Sequence, residues 1–191
     1  MAVRSLLTPP IAFAHRGARA HAPENTLEDV YASCGAGYDL SLDVKDAAAA
    51  RVVIDLADAA GAVQRLWLCH PDWQQVASWR SLSDEVRLVD STRLRAMRQG
   101  PERRAAQLRA AGVDAVNLHH TDWSGGMTTL FHRFGRYAFA WDAQFERVLG
   151  ALLRMGVDAV YSDHVDRMVA VLQQSQVAQR PDLDEGAPDD Q

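Results

Sequence analysis

His15, Arg16 and Gly17 close an apolar run, Ile11-Ala12-Phe13-Ala14, so a buried strand would carry a proton shuttle and a fixed cation to its own end. An imidazole exchanges protons near neutral pH, a guanidinium makes bidentate charge-assisted bonds to a phosphate ester, and a glycine lets the backbone approach a ligand. After a short loop comes Pro23-Glu24-Asn25-Thr26-Leu27-Glu28. Asn25 or Thr26 can cap the helix that follows, which places Glu24 near its positive end. A second stripe of chemistry lies in Asp39-Leu40-Ser41-Leu42-Asp43-Val44-Lys45. Strict alternation predicts Asp39, Ser41, Asp43 and Lys45 on one face and Leu40, Leu42 and Val44 on the other. Later apolar runs also end in polar groups: His70, Asp90, His119, His120, Asp142 and Asp163. Adjacent residues of a strand point to opposite sides, so only one of His119 and His120 should face a common centre, and a metal pair is not expected there. His21 and His132 fall in loop and helix contexts and are read as surface.

Elements able to position these groups alternate along the chain. Short strand-like runs are predicted over 11–15, 39–45, 65–70, 86–90, 115–120, 137–142 and 159–163, each apolar until its last residue or two. Between them, apolar residues at three- and four-residue spacing predict helices over 27–34, 47–60, 73–79, 102–111, 128–134, 145–155 and 167–174. Gly61, Gly112 and Gly156 stand where a left-handed cap would stop three of these helices. Strand and helix alternating in this way define an α/β protein with a parallel sheet. The polar groups gather at the C-terminal ends of the strands, where the active sites of TIM-type (β/α) barrels sit. The expected fold is therefore a TIM-type barrel, incomplete, with about seven βα units where closure takes eight. It occupies residues 1–174. Residues 175–191, with Pro181, Pro188, Asp182, Asp184, Glu185, Asp189 and Asp190, are too acidic and apolar-poor to pack and are read as a disordered tail.

His-Arg-Gly at the end of a first strand, followed by Pro-Glu-Asn-Thr opening a helix, resembles the glycerophosphodiester phosphodiesterase family. Members of that family hydrolyse glycerophosphodiesters to glycerol 3-phosphate and an alcohol, using a calcium or magnesium ion held by three carboxylates. The resemblance implies His15 as general acid or base, Arg16 and Lys45 as phosphate contacts, Asp43 as metal ligand and Trp141 as the aromatic beside the substrate. It places Glu24 and Asn25 at the border of the active site, with Glu24 a candidate metal ligand. Asp163 resembles the Asp that ends the family's last strand.

Complete members carry two acidic strands, one with Glu-x-Asp and the next with Glu-x-Lys. The stripe over 39–45 fits the second as Asp43-Val44-Lys45, because a helix follows directly; read as the first, it would be Ser41-Leu42-Asp43 with one ligand lost. The preferred register leaves the Glu-x-Asp strand and the loop bearing a second catalytic His-Asp without counterparts. One βα unit is then missing, and Thr26-Leu27-Glu28 is the expected junction. A single Asp should hold a hard divalent cation weakly. The resemblance thus implies an enzyme of impaired turnover or, alternatively, a noncatalytic phosphoester-binding barrel.

Composition excludes other classes. The 191 residues are 48% hydrophobic and 24% charged, with a mean hydropathy of -0.22, as in ordinary globular proteins. A net charge of -5 and a pI near 5.8 leave no basic field for nucleic acid. No apolar run reaches the ~20 residues of a membrane span, and no signal-peptide pattern opens the chain, so a cytoplasmic location is expected. Cys34 and Cys69 lack any metal or disulfide spacing and are read as reduced, packed thiols. An open barrel would leave two unpaired strand edges, which could pair in a homo-oligomer.

Overall fold

The computed structural model describes residues 3–14 and 27–178. Within them the chain alternates seven strands and seven α-helices: β1 Ile11–Ala14, α1 Leu27–Cys34, β2 Leu40–Asp43, α2 Ala49–Ala59, β3 Leu66–His70, α3 Trp73–Ser78, β4 Arg87–Thr92, α4 Pro101–Ala110, β5 Ala115–His119, α5 Gly125–Arg133, β6 Tyr137–Trp141, α6 Glu146–Arg154, β7 Ala159–Ser162 and α7 Val165–Ala178. Helix α7 runs four residues past the expected boundary at Gln174; residues 179–191 lie outside the described residues.

All strand pairs are parallel, in the order β1-β7-β6-β5-β4-β3-β2. The sheet curls into an incomplete TIM barrel whose two free edges, among the described residues, belong to β1 and β2. That opening falls at the point where the sequence predicts a missing unit.

The curl creates two apolar layers. Inward-facing Phe13, Trp67, Cys69, Val89, Ala115, Phe139 and Ala159 fill the barrel, with Tyr161 stacked on Phe13 at 4.6 Å. Alternate residues face outward and pack with the helices around Leu66, Leu68, Leu88, Val116 and Leu118. Gly61, Gly112 and Gly156 take φ of 68, 68 and 81° at the ends of α2, α4 and α6, as their placement predicts. A Cβ on Gly156 would also lie 2.7 Å from the Val3 carbonyl oxygen, so this position excludes side chains twice over.

Two carboxylates, one half-buried and one fully buried, lock the N-terminal ends of strands. The phrase Gly-Val-Asp-Ala-Val occurs at 112–116 and again at 156–160. Asp114 Oδ2 accepts from Leu88 N and Arg80 Nη2 at 2.8 and 2.7 Å. Asp158 is fully buried; its Oδ2 accepts from Ala138 N and His132 Nε2 at 2.7 and 2.8 Å, and its Oδ1 receives Ser5 Oγ, Leu6 N and Leu7 N. His132 is therefore not the surface residue expected: its side chain is only 10% exposed and bridges α5 to the strand ends.

Asp90 is likewise not a rim group. It lies on the outward face of β4, fully buried, where Arg104 of α4 pairs with it at 2.6 Å. Burial outweighs that pairing and raises its pKa to about 6. Because the folded value lies above the unfolded one, Asp90 favours the folded state least above pH 6 and progressively more as pH falls toward 4. The Asp90→Asn variant should therefore show a flatter dependence of its urea midpoint on pH between 4 and 6 than the unsubstituted chain. The difference corresponds to roughly 3 kcal/mol over two pH units. An unchanged slope would mean that Asp90 is ionised throughout.

Candidate functional site

A cavity of about 760 Å³ opens at the C-terminal mouth of the barrel. Its floor comes from inward-facing strand residues: Ser41 and Asp43 of β2, Cys69 of β3, Ser91 of β4, Asn117 of β5 and Tyr161 of β7. Ser41 Oγ sits 2.9 Å from the Tyr161 hydroxyl and 3.3 Å from Cys69 Sγ, linking β2 to β7 across the interior. Asn117 donates to Ser91 Oγ at 3.2 Å, while its buried Oδ1 has no protein partner. The rim of the cavity is formed by Trp141, Asp142, Gln144 and Asp163.

Strand ends set the geometry of the rim. Strand β5 stops at His119, and His120 opens a 3-10 turn, so the alternation expected to separate the two imidazoles no longer applies. Their rings lie 4.4 Å apart. Asp142, just past β6, takes a left-handed φ of 62°, a conformation that Asp and Asn reach more readily than most residues. Its Oδ2 lies 3.1 Å from His119 Nε2. The ligand-capable atoms of His119, His120 and Asp142 all fall within 4.8 Å of one another. Gln144 donates to Asp142 at 3.2 Å and to Asp163 at 2.9 Å, binding the two carboxylates into one rim. Arg93 caps the Trp141 ring at 5.6 Å and is anchored by Asp122 at 2.8 Å. Partial burial, then His119, lower the pKa of His120, which favours its neutral form.

Of the residues singled out in the sequence, Asp43 and Trp141 line this cavity, as does Asp163. Trp141 also meets His119 edge-on at 4.6 Å. Asp39 and Ser41 share the cavity face with Asp43 as alternation predicts, but β2 ends at Asp43, and Lys45 lies exposed beyond the strand, outside the cavity lining. His70 turns away from the mouth: its Nδ1 accepts from Asp72 N at 3.0 Å and its ring meets Trp79 edge-on at 5.9 Å. His15, Arg16, Gly17, His21, Glu24 and Asn25 lie outside the described residues. Strand β1, which precedes His15 and Arg16 directly, ends at the mouth, with Ala12 and Phe13 against the cavity. A second cavity of about 590 Å³ occupies the opposite end of the barrel, around Asp39, Arg65, Trp67, Arg87 and Tyr137.

The thiols differ from the expectation of two packed cysteines. Cys69 is buried and its pKa is pushed up to about 12, chiefly by burial, whereas Cys34 is exposed. A disulfide reagent at pH 8 should therefore label one thiol per chain in the native state and two in urea. Rapid native labelling of both would contradict the packing of β3.

The fold and its polar mouth define an incomplete parallel βα barrel with the cavity at the catalytic end of that architecture. Comparison with solved structures narrows the class to the fold of glycerophosphodiester phosphodiesterases. A protein provisionally named a glycerophosphoryl diester phosphodiesterase, from Agrobacterium tumefaciens, aligns with a TM-score of 0.68 at 13% identity, covering 80% of this chain and 65% of that one. The enzyme from Thermotoga maritima aligns at 0.62 and 14%, covering 77% and 63%. A phosphodiesterase from Oleispira antarctica, solved with its product sn-glycerol-3-phosphate, aligns at 0.54 and 14%, covering 71% and 55%. The chain thus spans less than two thirds of the length of these structures. No protein-family model matches the sequence, and no curated protein does. Among the described residues no helix is long and apolar enough to cross a membrane.

For the divalent cation that the fold implies, the expected ligands are Asp43 and Glu24. Of Asp43 and Glu24, only Asp43 is described, and among the described residues it joins no group of three potential ligands within mutual reach. Among the described residues Asp43 alone would hold a hard cation weakly.

Proposed function

We propose that the chain belongs to the glycerophosphodiester phosphodiesterase family and acts on a glycerophosphodiester at the barrel mouth, releasing glycerol 3-phosphate and an alcohol slowly. The observation that carries this reading is the alignment of a seven-stranded barrel with that family's fold, in a chain whose first strand leads into His15-Arg16-Gly17. In this reading Arg16 and Lys45 bind the phosphate, Trp141 packs against the substrate and His15 moves the proton between water, phosphodiester and leaving alcohol. Lys45, the chain's one lysine, follows β2 by two residues on the side of the barrel where the mouth opens. The carboxylate set for a hard cation is incomplete, and the sequence holds no second His-Asp loop, so turnover falls well below that of an intact family member. The test is release of glycerol 3-phosphate from glycerophosphocholine and related diesters, with and without millimolar calcium or magnesium. Slow release that saturates with substrate supports the reading; none at any cation concentration removes the catalytic part of it.

The open edge between β1 and β2 favours one further reading, a noncatalytic phosphoester-binding barrel. That protein would bind glycerol 3-phosphate through Arg16 without turning over any diester.

A further inference from the structure

The imidazoles of His119 and His120 and the carboxylate of Asp142 converge at the rim, away from the carboxylate stripe of β2. We infer that these three residues bind a borderline divalent cation of the zinc type, with a coordination position open toward the cavity. Three observations carry it. Two imidazole nitrogens and one carboxylate oxygen form a donor set that suits zinc, cobalt or nickel and is poor for calcium or magnesium. The 3.1 Å between His119 Nε2 and Asp142 Oδ2 is close to the ~3.3 Å that separates two ligands each about 2.0 Å from a tetrahedral zinc. His120 lies within 4.8 Å of both and is half-buried, so a ring rotation completes the set.

The surroundings match. Thr121 Oγ1 lies 2.7 Å from His119 Nδ1, which also accepts from Thr121 N at 3.3 Å; with the ring proton moved to Nδ1 and Nε2 given to a metal, this hydroxyl accepts it, as the outer-shell partner that a metal-bound imidazole requires. Gln144 holds the other oxygen of Asp142 and so fixes which one faces the imidazoles. Asp122 and Asp163 add negative charge nearby, opposed by Arg93. Three protein ligands and an open position are the arrangement of catalytic rather than structural zinc sites.

The site does not depend on the phosphodiester reading, and its test reads metal binding and not turnover. The untagged chain, stripped with chelator, is titrated with Co²⁺ and followed by visible absorption, then competed with Zn²⁺, Ca²⁺ and Mg²⁺. The expected result is one saturable cobalt band per chain, displaced by Zn²⁺ but not by a roughly thousandfold excess of Ca²⁺ or Mg²⁺. His120→Gln and Asp142→Asn should each weaken binding at least about tenfold. Asn tolerates the left-handed φ at 142, so that variant keeps the fold. Thr121→Val, which touches no metal, should weaken binding about tenfold or more through His119. Absence of a saturable band, or a band unchanged in His120→Gln and Asp142→Asn with their melting temperatures preserved, overturns the inference.

Discussion

Replacing His15 by alanine should lower the rate of glycerol 3-phosphate release by about 10²- to 10⁴-fold while leaving the affinity for glycerol 3-phosphate within a few-fold of its starting value. A positioned acid or base typically contributes that much. In the proposed function the whole contribution rests on one side chain, because the sequence has no counterpart of the loop that would bring a second histidine. The separation of rate from affinity makes the prediction specific: in the proposed function His15 moves a proton, whereas Arg16, its neighbour, holds the phosphate. Initial rates and product inhibition constants for the unsubstituted chain and the variant decide it. Equal rates would transfer the proton chemistry elsewhere, and a parallel loss of affinity would make His15 a binding group.

The Asp158→Asn substitution should cost about 3–5 kcal/mol of stability, nearly as much as Asp158→Ala. The side chain is fully buried and both oxygens only accept: Oδ1 from Ser5, Leu6 and Leu7, and Oδ2 from Ala138 and His132. An asparagine amide has one donor end, and whichever way it is turned, that end meets N–H or O–H groups with nothing to accept. The loss frees the N-terminal segment from β7 and the start of β6 together. For a chain of this size it amounts to a fall in Tm of roughly 6–20 °C, measurable by calorimetry or circular dichroism. The related Asp114→Asn should cost less, because Asp114 is 18% exposed and water can reach the displaced donors. A loss below about 1 kcal/mol at 158 would show that the N-terminal segment is not held by this carboxylate.

Much of the fold is legible in the sequence because a parallel barrel repeats one local rule. Each apolar run followed by an amphipathic run becomes a strand and its covering helix, and α1 ends at Cys34, where its predicted bound falls. The opening between β1 and β2 is legible for a different reason: the stripe over 39–45 fits the second acidic strand of the family that the sequence resembles and leaves the first without a counterpart. The site is less legible, since period-two alternation holds only while the strand continues. Lys45 lies beyond the end of β2, His120 follows β5 into a 3-10 turn, and Asp142 turns through a positive φ, so each departs from the face that counting assigns. Asp90 and His70 are the converse case: they close their runs as rim residues should, yet an odd or even count decides whether a strand residue looks into the barrel or toward the helices. Both look outward. Pairings such as Arg104 with Asp90 and His132 with Asp158 join residues 14 and 26 positions apart, and no periodicity connects them. The repeated Gly-Val-Asp-Ala-Val is a signal that does precede them, because an Asp packed in at the start of each of two strands needs donors from the strand before.

The central claim is that the barrel mouth binds a phosphoester through the residues that follow β1. Isothermal titration of sn-glycerol 3-phosphate tests it without requiring turnover. The account predicts one site per chain, weakened about 10- to 100-fold by Arg16→Ala, as expected for loss of a charge-assisted bond, and unaffected by Arg65→Ala at the opposite end of the barrel. Absence of binding to the unsubstituted chain, or equal binding by Arg16→Ala, would contradict it.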